Sequence, residues 1–377
     1  MAGHSKVAPL MEQSLDDRLQ TYVGKGGDRY IPARDSITAE GIRKMIEVVG
    51  DRNPIYSDAD FAVGSVHGGL VPPPPAILAF WLKGFQPAKS SHEVDAQGVR
   101  HFRLDPFPVR GTEMLDEPPV KDQFDAFNEI AGALTEAGYS SRAGVGGELN
   151  LKRYPKVGDH LFYSDAKLHS IAGPKSTKLG EGYFTTLVMD VKDRQGHAIG
   201  DFRLQSFIFA PAPSAVKPTP AAEPAKREPP ALRPWAESER VSASSVAVGQ
   251  ELPSLVVEVT PSLIIAGALF SNDISDVHHD RHLAVERGYN DYFMCTSGTL
   301  LLVSRFVTDW AGPSAFVERI TWRLGAQQYS HDPLYLTGRV SEVERLTDSC
   351  RITVEVAGNN SRGLHANCTV RLLLPLA

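Results

Sequence analysis

The stretch Leu269-Phe-Ser-Asn-Asp-Ile-Ser-Asp-Val-His-His-Asp-Arg-His282 places three acids and three histidines directly behind an apolar run, and Gly50-Asp-Arg-Asn-Pro-Ile-Tyr-Ser-Asp58 repeats its outline in the other half of the chain. Aligned on Asn272, the second stretch puts Asp273 opposite Asp51 and Asp280 opposite Asp58, and farther on Leu283-Ala284 falls opposite Phe61-Ala62. An outline that returns at matching offsets marks a duplicated unit, so the fold must be one that a chain can build twice.

The local physics of the second copy concerns how far Asp273 and His278 can approach. Thr260-Pro261 supplies a side-chain cap followed by proline at the first helical position, and Leu263, Ile264, Ala266, Gly267, Ala268 and Leu269 give small and apolar packing surface. The helix is expected to run out near Asn272, with Asp273 at its end. His278 is five residues on, outside the one-face spacing of three or four, so the two meet only if a loop folds back. An Asp and a His that meet in this way can hold one water between them.

Other readings compete for the same residues. His278 and His282 have the four-residue spacing of a helical metal pair, but Asp280 is poorly placed as a third ligand, and no metal is expected. His279-Asp280 is the dipeptide of metal phosphohydrolases, whose all-helical core a strand-rich chain does not match. A polar loop whose histidines only cap and solvate remains open; the internal repeat counts against it.

Composition sets the class. The chain has 377 residues, a formal net charge of −6 and 42% hydrophobic residues, which suits a two-domain protein with ample material for two cores. It has no basic block for nucleic acid and no apolar run long enough for a membrane span, so neither partner is expected. Cys295, Cys350 and Cys368 form neither a metal pair nor a disulfide framework, which fits a reducing, cytoplasmic setting.

Along the chain, residues 1–35 are polar and Gly-rich and are expected to form an N-terminal arm. A first domain then spans 36–210. Ile42, Met45, Ile46 and Val49 give helical periodicity between a Thr38 cap and a Gly50 stop. The turn-rich stretch 64–75, in which a lone His67 is expected to be structural, leads to an apolar helix over 76–85. The proline-broken stretch 100–129 is expected to be loops. Strands are expected at 148–154, 160–171, 183–192 and 202–209, with turns at 156–159, 173–175 and 193–196. A Pro/Ala-rich, semi-rigid linker covers 211–235. The second domain, 236–377, repeats the order: the Thr260 helix, the acid and histidine loop, an apolar helix over 295–310, and strands at 315–323, 334–344, 350–359 and 363–374. Helix first and antiparallel sheet after, done twice, describes an α+β double hotdog.

Gly50-Asp-Arg-Asn-Pro-Ile resembles the Gly-Asp-x-Asn-Pro-x-His motif of the MaoC-like, or type-2, enoyl-CoA hydratases, in which the Asp and His are catalytic. The two copies divide that motif. The first keeps Asp51, Asn53 and Pro54 but has Tyr56 in place of the His; the second keeps Asp273 and His278 but lacks the Asn-Pro. Asp276-Val-His-His-Asp280, Gly288-Tyr-Asn-Asp-Tyr-Phe-Met294 and Arg305-Phe-Val-Thr-Asp-Trp-Ala-Gly312 are similar to the catalytic subunit of the two-subunit hydratase that acts on steroid side-chain enoyl-CoA thioesters. Asn53-Pro-Ile-Tyr56, Val71-Pro-Pro, Ala137-Gly-Tyr139 and Gly173-Pro-Lys-Ser-Thr-Lys-Leu-Gly-Glu-Gly182 are similar to the hotdog half of its partner subunit. The chain therefore resembles a fusion of two hotdog subunits.

That resemblance implies an acyl-CoA substrate, no cofactor beyond the coenzyme A that the substrate carries, and a first half that is catalytically silent and holds the acyl group. It implies Asp273 and His278 as the catalytic pair and a backbone N–H at the start of the second hotdog helix as oxyanion donor, which register from Gly288 places at Thr296. Lys175, Lys178 and Gly288 are candidates for contacts with substrate or CoA. Asp51 and Asn53 are expected to be structural. A homodimer is expected, and an aldolase is the protein partner that the pathway suggests. The extra zinc-ribbon and OB-type domain by which the family docks an aldolase is not expected here, since these residues lack the cysteines for it. Ser271-Asn272 also replaces the Thr-Arg pair of the family before the catalytic Asp, removing a positive charge beside the site.

Overall fold

In the computed structural model, residues 14–82, 86–87, 94–100, 104–105, 125–211 and 240–376 are described. Residues 212–235 of the expected linker, the first 13 residues and most of the proline-broken stretch lie outside them.

The first half opens with α1 (Leu15–Gln20) and β1 (Tyr30–Pro32). Leu19 is buried and β1 pairs with a strand of the sheet, so residues 14–35 are fixed to the core and do not form a loose arm. α2 (Ala39–Val49) buries Ile42, Met45, Ile46 and Val49, starts where Thr38 accepts from the Gly41 N–H, and stops at Gly50, whose φ of 64° is the left-handed geometry glycine tolerates. Short helices α3 (Pro54–Ser57), α4 (Ala59–Gly64) and α5 (Ala76–Trp81) follow. The apolar helix expected to reach residue 85 ends at Trp81, because Leu82 turns extended at ψ 141°. A minimal pair, β2 (Gln86–Pro87) with β3 (Leu104–Asp105), precedes α6 (Asp125–Glu136), a helix that falls partly where only loops are expected. Phe127, Ile130, Ala133 and Leu134 of α6 recur at helical spacing and are buried.

The sheet of this half is β4 (Ser141–Leu151), β5 (Phe162–Ser164), β6 (Lys167–Thr177), β7 (Gly180–Lys192) and β8 (Ala198–Pro211). Gly173-Pro-Lys, expected to turn, is taken into β6, and the reversal comes instead between Thr177 and Gly180. The second half contributes β9 (Glu251–Val257), α7 (Pro261–Phe270), a 3-10 turn (Asp276–His278), α8 (Arg281–Glu286), α9 (Thr296–Ala311), β10 (Phe316–Leu324), β11 (Leu334–Arg345), β12 (Ser349–Asn360) and β13 (Gly363–Pro375).

The strands join one sheet in the order β1-β5-β7-β8-β4-β10-β13-β12-β11-β9, with β6 also on β7. The seam between the halves is the antiparallel pair β4–β10, from Arg319 opposite Asn150 to Arg323 opposite Gly146. The entering strands β1 and β9 close its two ends, as a duplicated unit requires. α9 is buried on nearly every face, and two of its hydroxyls have protein partners: Thr308 donates to the Ser304 carbonyl at 3.0 Å, and Thr299 meets His365 Nε2 at 3.0 Å. The repeat helices α2 and α7 pack on each other, and one continuous apolar core includes residues of both halves. The molecule is an α+β double hotdog.

Candidate active site

Three local devices bring Asp273 and His278 together. Ser271 caps α7, its N–H reaching the Gly267 and Leu269 carbonyls. Asn272 then takes φ 57°, a left-handed conformation that Asn adopts more readily than other side-chain-bearing residues, and its amide donates to the Ala79 carbonyl of α5 at 3.2 Å. The chain reverses there, and the 3-10 turn, closed by His278 N–H on the Ser275 carbonyl at 2.9 Å, carries the histidine back over the end of α7. His278 Nε2 lies 3.7 Å from Asp273 Oδ2. That separation is too long for a direct hydrogen bond and leaves both groups free to bind a common water.

The imidazole is oriented from behind. His278 Nδ1 is 2.8 Å from the Phe293 carbonyl, which can only accept, so Nδ1 carries the proton and the Nε2 lone pair faces Asp273. The ring also packs edge-on against Phe293 at 5.0 Å, and the Phe293 N–H returns to the Val277 carbonyl at 3.1 Å. The other charged groups of the stretch are engaged elsewhere. Asp276 is buried and paired with Arg287, and Asp280 caps α8 by accepting from the Leu283 N–H at 3.1 Å. His282 is exposed. Among the described residues no cluster of three His, Cys, Asp or Glu side chains is arranged to hold a metal ion.

Thr296 is the first residue of α9, and no acceptor for its N–H is found among the described residues. It therefore presents a free donor at the positive end of a 16-residue helix. Cys295 caps the helix, its Sγ accepting from the Gly298 N–H at 3.3 Å and lying 3.6 Å from Ser271 Oγ. Burial first, and Asp273 second, push its thiol up to about 12, so it is a neutral cap with no thiolate to act as nucleophile.

Across the seam, β4 closes the site. A Cβ on Gly144 would stand 4.0 Å from Thr296 Oγ1. Arg142 lies with its guanidinium 4.2 Å over the Phe127 ring, close enough to Asp273 for their charges to interact. Arg142 is exposed, and the protein around it lowers its pKa to about 10, with Asp273 opposing the shift. The sequence reading missed Arg142; an arginine entering a Gly-rich strand was the available signal.

The other candidates are placed less directly. Lys175 and Lys178 are exposed near the end of β6. The register Lys175–Gly182, Gly182–Phe209, Phe209–Ser141 sets Lys175 at the same end of the sheet as Arg142, three strands away or about 14 Å at ~4.8 Å per strand. Gly288 lies in an exposed turn after α8 with φ 91°, a conformation that accounts for the glycine by itself. His67 is held structurally, Nε2 3.1 Å from the Pro313 carbonyl and the ring stacked on Tyr154 at 4.9 Å.

The first copy is sealed. Asp51 Oδ1 accepts from the Asn53 N–H at 2.9 Å, and Asn53 caps α3 by accepting from the Ile55 N–H at 3.3 Å. Tyr56 fills the histidine position and is 1% exposed, and Arg305 of α9 bonds the Val49 carbonyl while pairing with Asp309 at 3.3 Å.

No family model matches the chain. It is 42% identical over 125 residues to the beta subunit of 3-oxo-4,17-pregnadiene-20-carboxyl-CoA hydratase of Mycobacterium tuberculosis, covering 33% of this chain and 94% of that protein. It is 30% identical over 188 residues to the alpha subunit of the same enzyme, covering 49% of each. A probable enoyl-CoA hydratase alpha subunit of Thermomonospora curvata is 25% identical over 217 residues, covering 55% of this chain and 59% of that protein. The chain thus spans about half the length of the alpha subunits it matches. Among solved structures, a MaoC-like dehydratase superposes with a TM-score of 0.63 at 17% identity, covering 94% of this chain and 99% of the other. A double-hotdog protein of Mycobacterium tuberculosis superposes with a TM-score of 0.55 at 16% identity, covering 96% and 98%. Both likenesses concern the fold.

Proposed function

The chain belongs to the MaoC-like enoyl-CoA hydratase family, whose members are hydro-lyases, and from that premise we propose that it adds water across the trans-2 double bond of a bulky acyl-CoA, a steroid or bile-acid side-chain thioester. The observation that carries the chemistry is the Asp273–His278 pair, 3.7 Å apart with the imidazole lone pair turned toward the carboxylate.

Asp273 and His278 hold one water and take a proton from it as its oxygen bonds to C3. The electron pair of the C2–C3 bond moves toward the thioester carbonyl. C2 then takes a proton back from the pair, so one water is added and the side chains are restored. Negative charge that builds on the thioester oxygen is met by the Thr296 N–H and the positive end of α9. Lys175 and Lys178 are assigned to CoA phosphates on the strength of their place at that end of the sheet. The bulky acyl group is supported by the contrast between the central helices: α9 has 16 residues, whereas α5 has 6 and leaves the first half short of a full helix. Two chains associating as a homodimer, and an aldolase acting on the product, complete the proposal.

The test is loss of enoyl-thioester absorbance with a steroid side-chain enoyl-CoA and crotonyl-CoA side by side. Turnover of the steroid thioester alone is expected. Preference for crotonyl-CoA keeps the chemistry and discards the bulky substrate; silence on both, with tight binding, makes the chain an acyl-CoA scaffold. Asp273→Ala and His278→Ala are each expected to lower kcat by about 10³-fold with circular dichroism unchanged. Full activity in either removes the site assignment.

A further inference from the structure

β4 belongs to the first half by its place in the sheet, yet its first residues end beside the second half's helix start. Gly144 lies against Thr296, and Arg142, two residues earlier, shares that face by strand alternation; the register irregularity of β4 comes only after Gly144. Arg142 pairs across the strand with Ile208 of the core, while Arg142 and Gly144 themselves remain exposed on that face. Phe127 of α6 fixes the guanidinium from the first-half side at 4.2 Å. On the second-half side Asp273 is adjacent to the α9 cap, where it interacts with Cys295.

The geometry points to Arg142 as a positioning residue for the Asp273–His278 pair: the silent half supplies a cation that acts through its charge on the catalytic half's carboxylate. Its catalytic consequence rests on the hydratase function proposed above. Asp273 is faced by His278 from the 3-10 turn, by Cys295 from the cap of α9 and by Arg142 from β4. With the thiol pushed up to about 12, Arg142 is the group of these three that stays charged at neutral pH whatever the state of the imidazole. Asn272, next to the catalytic Asp, is neutral. A nearby cation favours the ionised carboxylate and disfavours the imidazolium, so losing it moves proton uptake by either group to higher pH.

The test uses the full chain with Arg142→Met, Arg142→Gln as a second uncharged variant, and Arg142→Lys. Two quantities are read: the acid limb of kcat/KM for hydration, and the pH midpoint of the His278 ring signal in protein labelled with ¹³C-histidine, that signal being identified by its absence in His278→Gln. Both midpoints are expected to rise by about one pH unit in the uncharged variants and to return most of the way in Arg142→Lys. Lower rates with both midpoints at their wild-type values overturn the assignment and leave Arg142 as packing for Phe127. A shifted ring signal in a chain that hydrates nothing keeps Arg142 beside the pair and discards the hydratase function instead.

Discussion

Asn272 shows how little the local geometry can give. At φ 57° a β-branched side chain is strained by about 1–2 kcal/mol, and the amide bond to the Ala79 carbonyl would go with it. Asn272→Val is therefore expected to lower kcat about tenfold or more by misplacing Asp273, whereas Asn272→Gly, free at that φ, is expected to retain most activity; steady-state hydration rates check both. Asp51 is a residue of a different kind, buried and raised to about 6, chiefly by desolvation. Because its folded pKa exceeds the unbound value of 3.8, the native state holds a proton that the unfolded chain releases. Its contribution to stability is complete below about pH 4 and is lost as pH rises through about 6. At about 1.4 kcal/mol per unit the charged form costs on the order of 2–3 kcal/mol at neutral pH. Asp51→Asn, whose carbonyl can still accept from the Asn53 N–H, is expected to raise Tm at pH 7–8 and to flatten the stability difference between pH 4 and 6. Equal pH profiles for the two proteins would show that water reaches Asp51. At the histidine position of the first copy, the Tyr56 hydroxyl lies near Thr308, but among the described residues it has no partner in hydrogen-bond geometry. Tyr56→Phe is expected to keep both activity and stability, since it deletes a buried hydroxyl with nothing to satisfy it.

Among the elements, β4 is tightly enclosed at the seam. Its glycines are explained by the seam: a Cβ on Gly147 would run into the Arg203 carbonyl of β8 and the Trp322 ring of β10. Gly147→Ala forces a backbone shift where the halves join and is expected to cost about 2–3 kcal/mol, or more if the seam parts, read from urea unfolding. Elements with strong periodicity or caps were legible in sequence, α2 from Thr38 to Gly50 by both and α7 by its Thr260-Pro261 start most plainly. Those set by neighbours were not. α6 is amphipathic but follows a proline-rich stretch that masks its start, α5 stops short although its residues remain apolar, and Gly173-Pro-Lys is drawn into β6 because β7 lies alongside to pair with it.

The whole molecule behaves as one sheet with one core. Since β4–β10 makes the sheet continuous and the apolar cluster includes residues of both halves, unfolding is expected as a single transition, with Trp fluorescence and far-UV circular dichroism coincident in urea. Trp81 lies in the first half and Trp310 and Trp322 in the second, so the fluorescence samples both. Two separated transitions would show that the seam is weaker than the cores it joins.

By itself the sequence determined the duplication and the hotdog order of helix and sheet, and it marked Asp273 and His278 as candidates, because offsets, caps and periodicities can be read along the chain. Tertiary structure decided what depends on two segments meeting. The tautomer of His278 is set by a carbonyl fifteen residues away, the first copy is sealed by an arginine of α9, and the cation beside Asp273 arrives from the other half of the chain. No local pattern records such contacts, since each is fixed only when the two halves share a sheet.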